Sequence, residues 1–238
     1  YFWALYRDLL QQDGYEDGHV RFKEHYNDWR EIIASFGLGE RFANTDIREQ
    51  AKGYIPTTEF YNRVYGQKGW KAITIRSLSI GQGEILVTPL QLANQAAAIA
   101  NKGYYITPHF NRNDSMKSDI HTTLVDSTHF DVIHRGMARV MTDGTGRWYN
   151  IPELQMCGKT GTVQNPHGED HALFIGFAPM DNPQIAVAVA VENAGFGATW
   201  ACPIATLVME QYLTGEIQRN ALYERMANAN LIEEQDEQ

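Results

Sequence analysis

The clearest alternation of apolar positions lies in the last third of the chain. Leu173, Ile175 and Phe177 alternate with Ala172, Phe174 and Gly176, and Ile185, Val187, Val189 and Val191 alternate with Ala186, Ala188 and Ala190. A period of two is the period of a strand, so both runs predict strands. The first is apolar on both faces. The second is bulky on one face and small on the other, which suits a helix lying close. A sheet of this kind must be covered on both sides. Pro179 to Pro183 makes the turn between the two runs. Met156 to Val163 supplies a strand ahead of them, so three consecutive antiparallel strands are expected.

Elsewhere the period is helical. Phe2, Leu5, Tyr6, Leu9 and Leu10 predict a short helix over residues 1–12. A loop from Asp13 to Gly18 follows, then a helix from Arg21 to Phe36 with Phe22, Tyr26, Trp29, Ile32, Ile33 and Phe36 inward, stopped by Gly37 and Gly39. Residues 40–87 read as irregular, interrupted by Gly53, Pro56, Gly66 and Gly69 but anchored by Tyr54, Tyr61, Tyr65 and Trp70. Thr88 as N-cap, Pro89 at the first helical position and Gln91 in a capping box open a helix whose alanines run to Asn101-Lys102-Gly103. Residues 104–124, broken by Pro108, read as polar surface. Ser127 is the expected cap of a helix burying Phe130, Ile133, Met137, Val140 and Met141, which stops at Asp143-Gly144-Thr145-Gly146. Pro203 opens another with Ile204, Leu207, Val208 and Tyr212, ended by Gly215. Residues 1–215 are therefore expected to form one domain. Residues 216–238 form a weakly helical tail with a solvated end at Glu233-Glu234-Gln235-Asp236-Glu237.

Composition narrows the function. At 238 residues, 43% hydrophobic and 21% charged, the chain is globular. Twenty basic against 29 acidic residues give a net charge of -9, which argues against nucleic acid or an anionic membrane surface as a general partner. No apolar run reaches the length of a membrane span. The start at Tyr1-Phe2-Trp3 carries no methionine and no signal peptide, so a cut inside a longer chain is expected. Cys157 and Cys202 are too few for a disulfide framework, and each is expected to be a buried free thiol. The histidines show no metal-ligand spacing: His171 reads as structural and His167 as a turn residue, and neither metal nor cofactor is expected. The glycines of Ser77-Leu78-Ser79-Ile80-Gly81-Gln82-Gly83-Glu84 match no phosphate-loop spacing.

The candidate chemistry lies on the first strand, Cys157-Gly158-Lys159-Thr160-Gly161-Thr162-Val163. An edge strand offers free N–H and C=O groups to an extended peptide, and a glycine at 161 leaves room for its backbone. Lys159 supplies a cation, Thr160 and Thr162 supply hydroxyls for a carboxylate, and the Thr162 N–H could serve an oxyanion hole. This set fits acyl transfer on a peptide with a free carboxylate. An ordinary strand with an exposed lysine would show the same few residues.

Context adds to it. The Lys-Thr-Gly strand, the run from His171 to Pro179, Ser79 to Glu84 with Thr88-Pro89-Leu90-Gln91-Leu92-Ala93, and Ala100-Asn101-Lys102-Gly103 with Pro108 fall in one order. From about Phe36 to about Tyr212 the chain resembles the C-terminal part of the transpeptidase domain of class B penicillin-binding proteins, of the penicillin-binding protein 2 type. Gly144-Thr145-Gly146 resembles a family turn ahead of the Lys-Thr-Gly strand. The family also uses S-x-x-K and S-x-N. None of the six serines, Ser35, Ser77, Ser79, Ser115, Ser118 and Ser127, gives either, and Ser115-Met116-Lys117 has lysine where asparagine belongs.

The resemblance implies an α+β, incomplete serine β-lactamase/transpeptidase-like fold: three antiparallel strands of a family five-stranded sheet, with helices on both faces. It implies that Lys159 and Thr162 are catalytic and that Lys159, Thr160, Gly161 and Thr162 bind substrate, with no nucleophile in this chain. Peptidoglycan stem peptides, β-lactams and proteins of the cell-elongation machinery are the implied partners. The implied location is the periplasmic side of the bacterial inner membrane, through an upstream anchor. The chain alone is expected to be inactive, and the last strand, left without its family neighbour, is expected to dimerise or swap through an open edge. A serine β-lactamase or β-lactam sensor, or a non-catalytic module of cell-wall synthesis, are the alternatives.

Overall fold

A computed structural model describes residues 2–111 and 119–232. The sequence-level readings of Ser115, Ser118, Ser115-Met116-Lys117 and the Glu233–Glu237 end lie outside these residues. The chain forms two compact units, one of residues 1–88 and 106–125 and one of residues 89–105 and 126–238. The segment read as a tail, as far as it is described, belongs to the second unit.

The first unit is built on an aromatic core. Helix α1 spans Phe2–Ala34 and is interrupted at Gly14, whose φ of 76° only a glycine adopts easily. The expected loop from Asp13 to Gly18 thus shrinks to one residue. Gly18 then packs on the first helix, where a Cβ would fall 2.7 Å from the Leu9 carbonyl oxygen. Phe2, Tyr6, Leu9, Phe22 and Tyr26 point inward, but Ile32, expected inside, is exposed. The stretch expected to be irregular carries a short helix α2, Thr58–Tyr65, capped by the Thr57 side chain, and a 3-10 turn over Arg76–Ile80. A two-turn helix is too short for its period to show against four flanking breakers. Tyr61 and Trp70 are buried as expected and Tyr65 is not. The Tyr26 hydroxyl donates to the Pro56 carbonyl at 2.7 Å and the Tyr61 hydroxyl to Glu84 at 2.9 Å. The segment read as polar surface, which the two units share, holds two short strands, β1 (Tyr104–Ile106) and β2 (Ile120–Thr122).

The second unit is a covered sheet. Strands β3 (Cys157–Val163), β4 (His171–Ala178) and β5 (Ile185–Val191) are antiparallel in the order β3-β4-β5, as the alternation predicts. The register places Cys157, Phe177 and Ala186 on one face and Gly158, Gly176 and Val187 on the other. Helix α3 (Pro89–Ala100) lies on β5 and β4, and its small side chains allow that approach. Ala100 and Met137 pack with Cys157, Phe177 and Ala186. Helix α4 (Phe130–Thr142) lies on β3. Its lead-in is capped by Asp126, which accepts from the Thr128 N–H, rather than by Ser127. Ile133 of α4 is exposed and His134 is buried in its place, its Nε2 2.7 Å from the Ile99 carbonyl. The opposite face is covered by α5 (Ala201–Thr214), whose Ala201, Cys202, Ala205 and Met209 meet Ala172, Phe174 and Val187. Val208 and Tyr212, read as part of its apolar face, are exposed. Beyond Gly215 a last helix, α6 (Asn220–Ala227), turns back along α5.

Candidate functional site

Strand β3 is an edge strand: β4 pairs with one side of it, and no other described strand pairs with the other. Lys159 is exposed and its Nζ donates to the Thr160 carbonyl at 2.5 Å. The Thr160 hydroxyl lies 2.9 Å from that of Thr145, in the turn after α4. Thr162 faces the same side as Thr160, and its Oγ1 accepts from the Gly197 N–H at 3.5 Å. Gly161 sits opposite Leu173, and a Cβ there would fall 3.2 Å from the Leu173 Cβ. All four expected site residues are therefore consecutive on one strand border, but the two threonines have partners of their own: Thr145 for Thr160, Gly197 for Thr162.

Two glycines hold this border in place. Gly158 lies over the Phe174 ring, with room for a Cβ only 2.1 Å from Cζ. Gly197, in the β5–α5 connection, is pressed against the backbone of β3 and β4. A Cβ there would fall 2.2 Å from the Gly161 oxygen and 2.4 Å from the Leu173 oxygen. Sequence reasoning missed Gly197; the signal available was Gly195-Phe196-Gly197 directly after a strand. Phe196 beside it is largely exposed.

The same connection is tied to the β3–β4 turn. The Asp170 carbonyl accepts from the Ala194 and Gly195 N–H groups at 3.0 and 2.7 Å. Asn165 Nδ2 donates to Asn193 Oδ1 at 2.7 Å, and the Asn193 N–H donates to His171 Nδ1 at 3.0 Å. His171 thus orients a loop, and His167 donates its N–H to Asn165 within the turn.

Cys157 and Cys202 are buried free thiols, each pushed up to about 12 chiefly by burial. Neither is a nucleophile at neutral pH. No cluster of three or more metal-ligating side chains exists among the described residues. No described helix is long and apolar enough to cross a membrane.

Comparison with known proteins places this strand in a family. The family model described as the penicillin binding protein transpeptidase domain matches residues 17–210. The peptidoglycan D,D-transpeptidase MrdA of Acinetobacter baumannii is 33% identical over 215 residues, covering 80% of this chain and 31% of the relative. The chain thus spans about a third of the length of that curated relative. The crystal structure of Pseudomonas aeruginosa PBP2 in complex with WCK 5153 is 31% identical with a TM-score of 0.69, covering 91% of this chain and 48% of that one. The Helicobacter pylori complex of PBP2 with MreC shares the fold at 22% identity and a TM-score of 0.68, covering 90% of this chain and 38% of that one.

Proposed function

Because the chain belongs to the penicillin binding protein transpeptidase family, we propose that it is the C-terminal part of the catalytic domain of a peptidoglycan D,D-transpeptidase. The observation that carries this reading is that β3, which pairs with β4 alone among the described strands, bears Lys159, Thr160, Gly161 and Thr162 in a family-matched segment. An extended stem peptide joins β3 as an added strand. Thr162, with Thr160 beside it, holds the terminal carboxylate. The Thr162 N–H helps stabilise the oxyanion, and Lys159 holds charge and assists proton transfer. Here the Lys159 ammonium already rests on the strand it serves.

In the proposed reaction a serine hydroxyl attacks the carbonyl carbon of the penultimate D-alanine. Its proton passes to the departing amine, the peptide C–N bond breaks, and terminal D-alanine leaves. An amine of a second stem peptide then attacks the ester, and the serine recovers its proton. None of the six serines of this chain precedes a lysine by three residues, so the nucleophile comes from upstream sequence and the chain alone is inactive. β-Lactams acylate the same serine. The whole protein works on the periplasmic side of the inner membrane with cell-elongation proteins; the MreC complex of the Helicobacter pylori neighbour motivates the partner class.

Fluorescent-penicillin labelling of this chain beside the same chain extended upstream tests the reading. Label on the extended chain alone is the expected result. Label on the short chain would mean that one of its own serines reacts. Rapid loss of label by hydrolysis would indicate a β-lactamase, and no label on either chain an inert module.

A further inference from the structure

The segment after Gly215 does more than trail from α5. The Arg219 Nε donates to the buried Glu210 carboxylate at 2.8 Å, while its Nη1 donates to the Tyr149 carbonyl at 2.8 Å and lies 3.4 Å from the Thr206 hydroxyl. The other Glu210 oxygen accepts from the Gln218 N–H at 3.0 Å. Arg225, from α6, donates to the Tyr149 hydroxyl at 3.2 Å with its guanidinium 5.7 Å from the ring. Two arginines from the C-terminal segment therefore hold one tyrosine at its backbone and at its tip.

Tyr149 closes the turn that carries Thr145. Its N–H donates to the Gly146 carbonyl at 3.0 Å, and the Gly146 N–H donates to Val140 at 3.0 Å. Gly146 is pinned in turn, since a Cβ there would fall 2.6 Å from the Met141 sulfur. With both ends of the turn fixed, the Thr145 hydroxyl is held 2.9 Å from that of Thr160. The Thr160 carbonyl is the acceptor on which the Lys159 ammonium rests. A series of contacts thus runs from the C-terminal segment to the Thr160 hydroxyl, and the charge-assisted hydrogen bond of Arg219 onto the Tyr149 carbonyl is a strong link in it.

We propose that Arg219, Arg225, Tyr149 and Thr145 are positioning residues that set the Thr160 side chain in the acyl-transfer border of β3. The catalytic part of this statement rests on the proposed function; the structural part does not. Arg219 is the principal anchor, because it joins a buried carboxylate on α5 to the backbone of the turn.

The test uses R219A, R219K, R225A and T145V, in this chain and in the chain extended upstream. In this chain, hydrogen exchange is followed at the Gly146, Arg147 and Tyr149 amides, with the Thr160 methyl resonance as reporter. R219A and R225A are expected to speed exchange in the turn, and R219A and T145V to move the Thr160 methyl. In the extended chain, penicillin acylation is split into binding and acylation rate. T145V, at an exposed hydroxyl, is expected to lower the acylation rate about tenfold with an unchanged melting midpoint. R219K keeps a cation for Glu210 without the planar fork, so it is expected to recover stability but not rate. R219A combined with T145V is expected to be no slower than the slower single variant, the non-additivity of residues acting in series. An unmoved Thr160 methyl in both R219A and T145V overturns the inference, whatever the labelling shows. So do multiplying rate effects in an extended chain that labels. An extended chain that does not label, with the methyl moved, removes the proposed function and leaves the coupling standing.

Discussion

Gly197→Ala adds one methyl group at the most crowded backbone contact of the site. The added carbon would lie 2.2 Å from the Gly161 oxygen, 2.4 Å from the Leu173 oxygen and 3.1 Å from the Gly161 nitrogen. Real Cβ contacts do not approach so closely, and all three neighbours are backbone atoms of paired strands, so none can swing aside as a side chain would. The connection must lift away, which stretches the Gly197–Thr162 hydrogen bond and the bonds of Ala194 and Gly195 to Asp170. Overpacking of this kind costs about 1–3 kcal/mol. At roughly 3 °C per kcal/mol for a unit of this size, the melting midpoint should fall by about 3–9 °C. The comparison variant is Gly136→Ala, on the exposed side of α4, where an added Cβ meets nothing within 4 Å. There alanine should stabilise by about 0.5–1 kcal/mol through its better helix propensity. Thermal melts of both variants, followed by near-ultraviolet circular dichroism, decide the matter. A G197A midpoint equal to the parent's, with G136A raised, would refute the claim that Gly197 is held by backbone contact.

Burial raises both thiols to about 12 from an ordinary value near 9, so unfolded thiols ionise first as pH rises. Stability from this source is complete below about pH 9 and is lost toward pH 12. Alkaline denaturation of C157A/C202A should show a shallower slope, and a thiol reagent at pH 8 should modify the parent only after unfolding; modification of the native chain would contradict the burial. Tyr26→Phe leaves the Pro56 carbonyl without its buried donor and should cost about 1–3 kcal/mol in urea titration, and a change below the error of that titration would mean another donor replaces it. The outer border of β5 pairs with no described strand, so this chain should dimerise or swap through it; a monodisperse monomer in sedimentation velocity would count against that expectation.

The sheet was legible because its two patterns are nearly pure. Alanine at 186, 188 and 190 against valine at 187, 189 and 191 admits one register, and α3 meets the small face. The site strand could be read too, since Lys159, Thr160, Gly161 and Thr162 are consecutive. What escaped were contacts distant in sequence. Thr145 and Thr160 meet across 15 residues and Gly197 and Thr162 across 35, with no local pattern to announce either pair. Hydropathy ranks Ile133 above His134 for the inward position, whereas the Ile99 carbonyl satisfies the buried His134 ring. Asp126 outranked Ser127 as a cap because both are good capping residues and only the backbone decides which one stands at the turn. Arg219 carried no signal at all, because its value depends on a buried Glu210 that the sequence marks merely as one acid among 29.

The division of the chain into interleaved segments also bears on its synthesis. The ribosome completes the sequence of the first unit at Val125, while β3, β4 and β5 have yet to be made. Helix α3 emerges early, at residues 89–100, and its covering strand β5 follows only at residues 185–191. Until then a helix rich in alanine and leucine has no sheet to lie on. Such a delay between a sticky surface and its partner exposes a nascent chain to chaperones and to its neighbours. The close fit of α3 on the alanine face of β5 thus sets a waiting time during translation, and slowing the ribosome between residues 101 and 184 should lower the yield of folded protein.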